Sequence, residues 1–171
     1  MMQYNNLQIL AVLVLLSPQR ECYMSLEDNK ALALRYFHEV WGQGNYALED
    51  ELLAPDYIDH QAAPGFPPDR IGHHQFLVHF RSAFPDLRFT MGDLIAEGDR
   101  VMDRWSVEAT HLGEFLGIPA TGKAVTFWGI DILRIVNGRI TEIWHLEDQL
   151  SVLQQLGVIP ADPFSPQETP H

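Results

Sequence analysis

The sequence predicts an α+β domain in which three N-terminal helices pack on one face of a curved antiparallel sheet. Apolar residues recur at helical spacing up to Pro85, and beyond it they alternate. Between two of the alternating runs stands Asn137-Gly138, the strongest short signal for a β-hairpin.

The first helix opens at Ser25, which forms a capping-box pattern with Asp28. Leu34, Phe37 and Trp41 then fall on one stripe, with Ala33 and Val40 beside them, and Gly42 to Gly44 ends it. "NYALEDELLAP" reads as a shorter helix capped by Asn45 and stopped before Pro55. "DYIDH" is a brief extended piece that leads into the Pro- and Gly-rich loop "QAAPGFPPDR". A third helix carries Phe76, Leu77, Phe80 and Phe84 on one stripe and halts at Pro85. "LRFTMGDLIAEGDRVMDRWSVEAT" is two strands joined at Glu97-Gly98-Asp99, and "HLGEFLGIPATGK" is a Gly-rich loop. "AVTFWGIDILRIVNGRITEIWHLED" is the second hairpin, followed by a short helix from Leu150 to Leu156.

The Asn137-Gly138 turn sets an expected register. With Val136 opposite Arg139, unbroken alternation puts Phe127, Asp131, Leu133, Trp144, Leu146 and Asp148 on one face. Trp128, Ile130, Ile132, Ile143, His145 and Glu147 fall on the other. Both faces are too apolar for free exposure, so one is expected to line a pocket and the other a homodimer interface built on Trp128, Ile130, Ile132 and Ile143. The face with two carboxylates among aromatic rings is taken as the pocket. A bulge near Glu147 would exchange it with Asp148.

Composition excludes several classes. A content of 46% apolar and 20% charged residues is that of a globular protein, and 171 residues suit one domain with a real core. The net charge of -12 disfavours nucleic acid and anionic membranes as partners. The lone Cys22 supports neither a disulfide framework nor a Cys-based metal site. His73-His74 and His79 lack the spacing of a helical metal pair and no HExxH occurs, so no metal is expected; nor does any Ser sit in a nucleophile elbow. The apolar run Leu7 to Ser17 is too short to span a bilayer, and its first basic residue, Arg20, follows it. Residues 1–23 are therefore read as an extension, with the domain at 24–158 and a mobile Pro-rich tail at 159–171. A start at Met24 would make the protein cytoplasmic, and secretion through residues 7–17 stays open.

The blocks "NKALALRYFHEVWGQGN", "LLAPDYIDHQAAPG", "FRSAFPDLRFTMGDLIAEGDRV", "THLGEFLGIPATGK" and "GIDILRIVNGRITEIWHLEDQLSVLQQLG" together resemble the SnoaL-like polyketide cyclase (ester cyclase) family of the NTF2-like superfamily. The resemblance spans about Asn29 to Gly157 and implies a cone-shaped α+β barrel with a deep apolar pocket. It also implies an oligomer that needs no metal or organic cofactor. The implied chemistry is ring closure of a hydrophobic carbonyl compound by intramolecular aldol condensation, with an Asp near the end of the last long strand as acid/base. Asp148 matches that position.

Enclosure among Trp144, Phe127 and helix aromatics would raise the pKa of Asp148 toward neutrality, as a base for protons next to a carbonyl requires. Asp131 could share its proton, and His60 could donate to the developing oxyanion. Phe37, Trp41, Phe76, Phe80, Phe127 and Trp144 are the expected substrate-binding wall. Plainer readings stand beside these: Asp148 as a helix cap, Asp131 in an ion pair, His60 bonded within its loop. Other enzymes of this fold and a non-catalytic binder remain alternatives. The absence of any Arg-x-Asp weakens an epoxide hydrolase, and only Tyr36, Tyr46 and Tyr57 could serve an isomerase as donors.

Overall fold

The computed structural model describes residues 25–160, so both the N-terminal extension and nearly all of the expected tail lie outside the described residues. Helix α1 (Leu26–Arg35) begins at Ser25, whose hydroxyl accepts from the Asp28 N–H while Asp28 reaches back to the Ser25 backbone. The helix continues as a wider π-helical segment, Tyr36–Gly42. This extra width turns Tyr36, Phe37 and Val40 into the core together, while Leu34, expected on that stripe, is exposed. A 3₁₀ turn, Tyr46–Leu48, leads into the short α2 (Glu49–Leu52), and Asn45 makes no side-chain cap there. β1 (Leu53–Asp59) comes next, then α3 (Arg70–Ala83), capped by Asp69.

β2 (Arg88–Glu97), β3 (Arg100–Thr110), β4 (Ala124–Val136) and β5 (Arg139–Glu147) form an antiparallel meander, and α4 (Gln149–Leu156) follows. The sheet order is β1-β5-β4-β3-β2. "DYIDH" thus belongs to a longer edge strand that runs parallel to β5, where a Pro at position 55 is tolerated. Among the described residues, five strands and four α-helices make a mixed α+β domain with a curved, unclosed sheet. Its concave side receives α1 and α3, and the core there includes Tyr36, Leu77, Phe84, Leu133 and Ile140. Each such large side chain contributes about 1.5–3 kcal/mol by leaving water. Among the described residues, no helix is long and apolar enough to cross a membrane.

Asn137 and Gly138 both take positive φ, 51° and 75°, as a two-residue hairpin turn requires. Val136 pairs with Arg139 and Ile135 with Ile140, as expected. The next pair is Arg134 with Glu142, so Thr141 is an extra residue in β5. From there on, every β5 side chain points to the face opposite the one that strict alternation assigns. β4 keeps its alternation, with Phe127, Asp131, Leu133 and Ile135 buried.

Substituting Gly138→Val forces a β-branched residue into the left-handed region and should cost about 1–3 kcal/mol. Urea unfolding of the variant checks this, and an unchanged midpoint would contradict the turn geometry.

Candidate functional site

The concave side of the sheet, closed by α1, α3 and α4, encloses a cavity of about 340 Å³. This is within the range of small-molecule sites. Phe37, Trp41, Phe76, Phe80 and Phe127, five of the expected wall residues, line it. Phe84, Phe89, Trp105 and Phe115 extend the aromatic wall, and Phe80 is an edge-to-face neighbour of Trp41, Phe115 and Phe127.

Polar groups interrupt this wall mainly where β1, β5, β4 and β3 lie side by side. The parallel β1–β5 ladder brings Asp59 against Ile143, and the β4–β5 ladder sets Asp131 opposite His145. His145 donates through Nε2 to Asp59 Oδ1 at 3.0 Å and through Nδ1 to Glu147 Oε1. Its backbone N–H donates to Gln61 Oε1 at 2.8 Å, which ties the loop after β1 to the site. Burial works against a charged ring, but these two carboxylates outweigh it and raise the His145 pKa to about 10. His145 is therefore an imidazolium at neutral pH.

Asp131 is buried and lines the same wall. The Trp105 Nε1–H donates to its Oδ2 at 3.0 Å. Gly129 makes that contact possible, since a Cβ there would lie 2.4 Å from the indole ring. Asp131 Oδ1 has no hydrogen-bond partner among the described residues. Across β3, Asp103 pairs with Asp131 and is equally buried, with neither oxygen bonded. Loss of solvation raises the pKa of both carboxyls well above the usual range, and Asp131 raises Asp103 further. For Asp131 the His145 charge opposes the rise.

The bulge in β5 decides three of the expected site residues. Asp148 follows β5 outside the cavity wall. Its side chain caps α4 by accepting from the Ser151 N–H at 3.1 Å. Trp144, on the outer face, stacks on His60 with ring centroids 4.3 Å apart. His60 in turn bonds Glu142 Oε2 at 2.8 Å and does not line the cavity. Asp131 alone of the three expected polar residues reaches it. Reasoning from alternation missed His145, Glu147 and Asp59. A signal for them existed: Ile140 and Ile143 are both buried yet three residues apart, and strict alternation would have buried Glu142 between them.

Ligand atoms of Asp131, His145 and Glu147 lie within 4.8 Å of one another, close enough to share a cation. Both His145 ring nitrogens already donate to carboxylates, so a metal would first have to displace the proton on one of them.

The sequence pattern of the SnoaL-like polyketide cyclases matches residues 31–156. The chain belongs to that family. TsrD from Streptomyces laurentii has the same fold, with a TM-score of 0.72 at 27% identity over 80% of this chain and 99% of its own. A candidate polyketide cyclase from Bacillus cereus ATCC 10987 gives 0.69 at 32% identity over 80% and 87%. AclR from Streptomyces galilaeus, a candidate hydroxylase, gives 0.72 at 29% over 82% and 87%. No protein of curated function matches. For this SnoaL-like chain, then, family and NTF2-like fold are settled.

The Asp103–Asp131 pair has a consequence for stability. A carboxyl whose pKa is raised by folding holds its proton in the native state after the unfolded chain has lost it, from about pH 4 upward. Stability therefore falls as pH rises through that window, by up to about 1.4 kcal/mol per pH unit for each such proton. Asp103→Asn should flatten the decline and be more stable than the parent at pH 8, with the difference shrinking toward pH 4. Thermal unfolding across that range measures it.

Proposed function

We propose that this SnoaL-like protein is a cofactor-independent acid/base catalyst acting on a hydrophobic carbonyl compound, with Asp131 as the proton acceptor and donor. The observation that supports this is a polar cluster, Asp131 beside the Asp59–His145–Glu147 ion array, on the wall of a largely aromatic cavity. A carboxyl with a pKa pushed up by burial is suited to remove a proton next to a carbonyl and to return one. The fixed positive charge of His145 favours the ionised form of Asp131 and offsets the negative charge that passes to the enolate. In a ring closure, Asp131 takes the α-proton and the enolate carbon bonds to a second carbonyl carbon of the same molecule. The resulting alkoxide takes the proton back, so nothing is consumed and no cofactor is required.

Deuterium incorporation into 2-tetralone, followed by NMR in D₂O, tests the proton-transfer half of this chemistry. The protein should accelerate exchange beside the carbonyl. Asp131→Asn, which keeps an acceptor for Trp105, should lose about 10²–10⁴-fold of the acceleration. Asp148→Asn should stay within a few-fold, because Asn caps helices well. Equal losses in the two variants would reject Asp131 as the base.

Assembly belongs to the same reading. The outer sheet face carries Trp128, Ile130, Ile132 and Leu146, all exposed, whereas Ile143 faces the cavity and is buried. We assign this face to a homodimer contact. Light scattering at micromolar concentration should give twice the chain mass, and Trp128→Glu with Leu146→Glu should give the monomer mass. A monomeric parent would remove the assignment.

A further inference from the structure

A second buried polar unit sits elsewhere on the cavity wall. The His73 Nδ1–H donates to Glu49 Oε1 at 2.7 Å, and the Tyr36 hydroxyl donates to His73 Nε2 at 2.6 Å. The order carboxylate, imidazole, hydroxyl is the arrangement that activates a hydroxyl in nucleophile and base sites generally. All three side chains are buried, and both Tyr36 and His73 line the cavity. Three chain segments built for other reasons bring them together. The π-helical end of α1 turns Tyr36 inward, the first turn of α3 supplies His73, and α2 supplies Glu49.

The unit is held more firmly than core packing requires. The second oxygen of Glu49 accepts from His74 Nδ1 at 2.6 Å, so both carboxylate oxygens are fixed. Burial works against the Glu49 charge, yet the two histidines hold its pKa below the ordinary value, and it stays ionised. An ionised Glu49 fixes the His73 proton on Nδ1 and leaves Nε2 to accept. The rings of Tyr36, Trp41 and Tyr57 surround His73 and hold its plane. Burial keeps Tyr36 a phenol at any ordinary pH, so its proton is committed to His73. Its oxygen has two lone pairs, and with the Trp41 indole N–H beside one of them the other can accept from a ligand.

We propose that Glu49, His73 and Tyr36 form a second acid/base unit of the cavity, one that accepts the proton of an enolic or phenolic hydroxyl on the ligand. The transfer is balanced within the site: the ligand O–H proton moves to the Tyr36 oxygen as the Tyr36 proton moves to His73 Nε2. The ligand becomes an oxyanion, and the imidazolium formed is paired with Glu49. Tyr36 touches the ligand, whereas His73 and Glu49 are positioning residues. This rests on the reading of the cavity as a ligand site, and it narrows the ligand to a hydrophobic compound that carries a hydroxyl as well as a carbonyl. Asp131 and this unit would then serve different oxygen functions of one molecule.

2-Naphthol is the probe, because its excited state is a strong acid whose naphtholate emits at longer wavelength, and the bound signal is read as the difference from the free probe, which water also deprotonates. Titration into the full chain should give saturable binding with a naphtholate band from the bound probe. Tyr36→Phe should retain binding and lose most of the band. Glu49→Gln should weaken the band several-fold with Tyr36 still present, a change that a purely structural role for Glu49 would not produce. Asp131→Asn should keep the band, which separates this unit from the chemistry assigned to Asp131. A band that persists in Tyr36→Phe, or that disappears in Asp131→Asn, overturns the proposal. So does the absence of naphthol binding.

Discussion

The site depends on one extra residue in β5. Thr141 has no partner of its own in the β4 ladder, and its hydroxyl instead donates to the Arg134 carbonyl at 3.3 Å. Because side chains alternate with a period of two, this single insertion moves Ile143, His145 and Glu147 to the concave face and Trp144 and Leu146 to the convex one. The insertion also keeps Glu142 out of the core, where it joins Arg134 and His60 at the surface. A strand without the bulge would offer the cavity a tryptophan and an aspartate. With it, the cavity receives an imidazolium held between two carboxylates.

Most of the fold was legible because its signals are local. The Ser25–Asp28 box, the α3 stripe, the Asn137-Gly138 turn and the alternation of β4 all depend on residues close in sequence. Each is found where expected. The aromatic wall was legible too, since Phe37, Trp41, Phe76, Phe80 and Phe127 lie on the apolar faces of elements that have only one way to turn. What was not legible depends on pairing between distant segments. The β1–β5 ladder, which delivers Asp59 to His145, has no marker in "DYIDH", a stretch that reads only as a brief extended piece. The π-helical turn that sets Tyr36 on His73 is equally silent, because the stripe through Leu34 fits an ordinary helix. The bulge did leave a trace in the spacing of Ile140 and Ile143. Asn-Gly fixes a register only as far as the first irregularity.

Asp148, outside the wall, still shapes the cavity. Its backbone N–H donates to the Trp128 carbonyl at 3.0 Å, and its side chain then caps α4. Gln155 holds the same helix against β4 through both the N–H and the carbonyl of Thr126. Lys123 meets the helix end by donating to the Leu156 carbonyl at 2.9 Å. So anchored, α4 presents Val152, Leu153 and Leu156 to the cavity. An acidic residue at this position therefore has a structural use whatever chemistry the cavity performs.

The arrangement of charge around the cavity bears on what the cavity is for. A core built only for stability would not keep Asp103 and Asp131 side by side with three carboxylate oxygens unbonded, since each buried polar atom left without a partner costs about 1–3 kcal/mol. Nor would it place Asp59, His145 and Glu147, each largely withdrawn from water, on the wall of an aromatic-lined cavity, since replacing ions in such places by apolar groups is commonly neutral or stabilising. Among the described residues, the other buried atoms without a partner belong to Asn29, Trp41, Tyr57 and His111, none of them a carboxylate. Elsewhere the buried charge is satisfied, as at Glu49, both of whose oxygens accept from histidine. That contrast separates two kinds of polar group within one cavity. Glu49 and His73 form a matched pair that orients the Tyr36 hydroxyl. Asp131 has one oxygen held by Trp105 and one left open, the condition a carboxyl needs to hold its position and still accept a proton from a ligand.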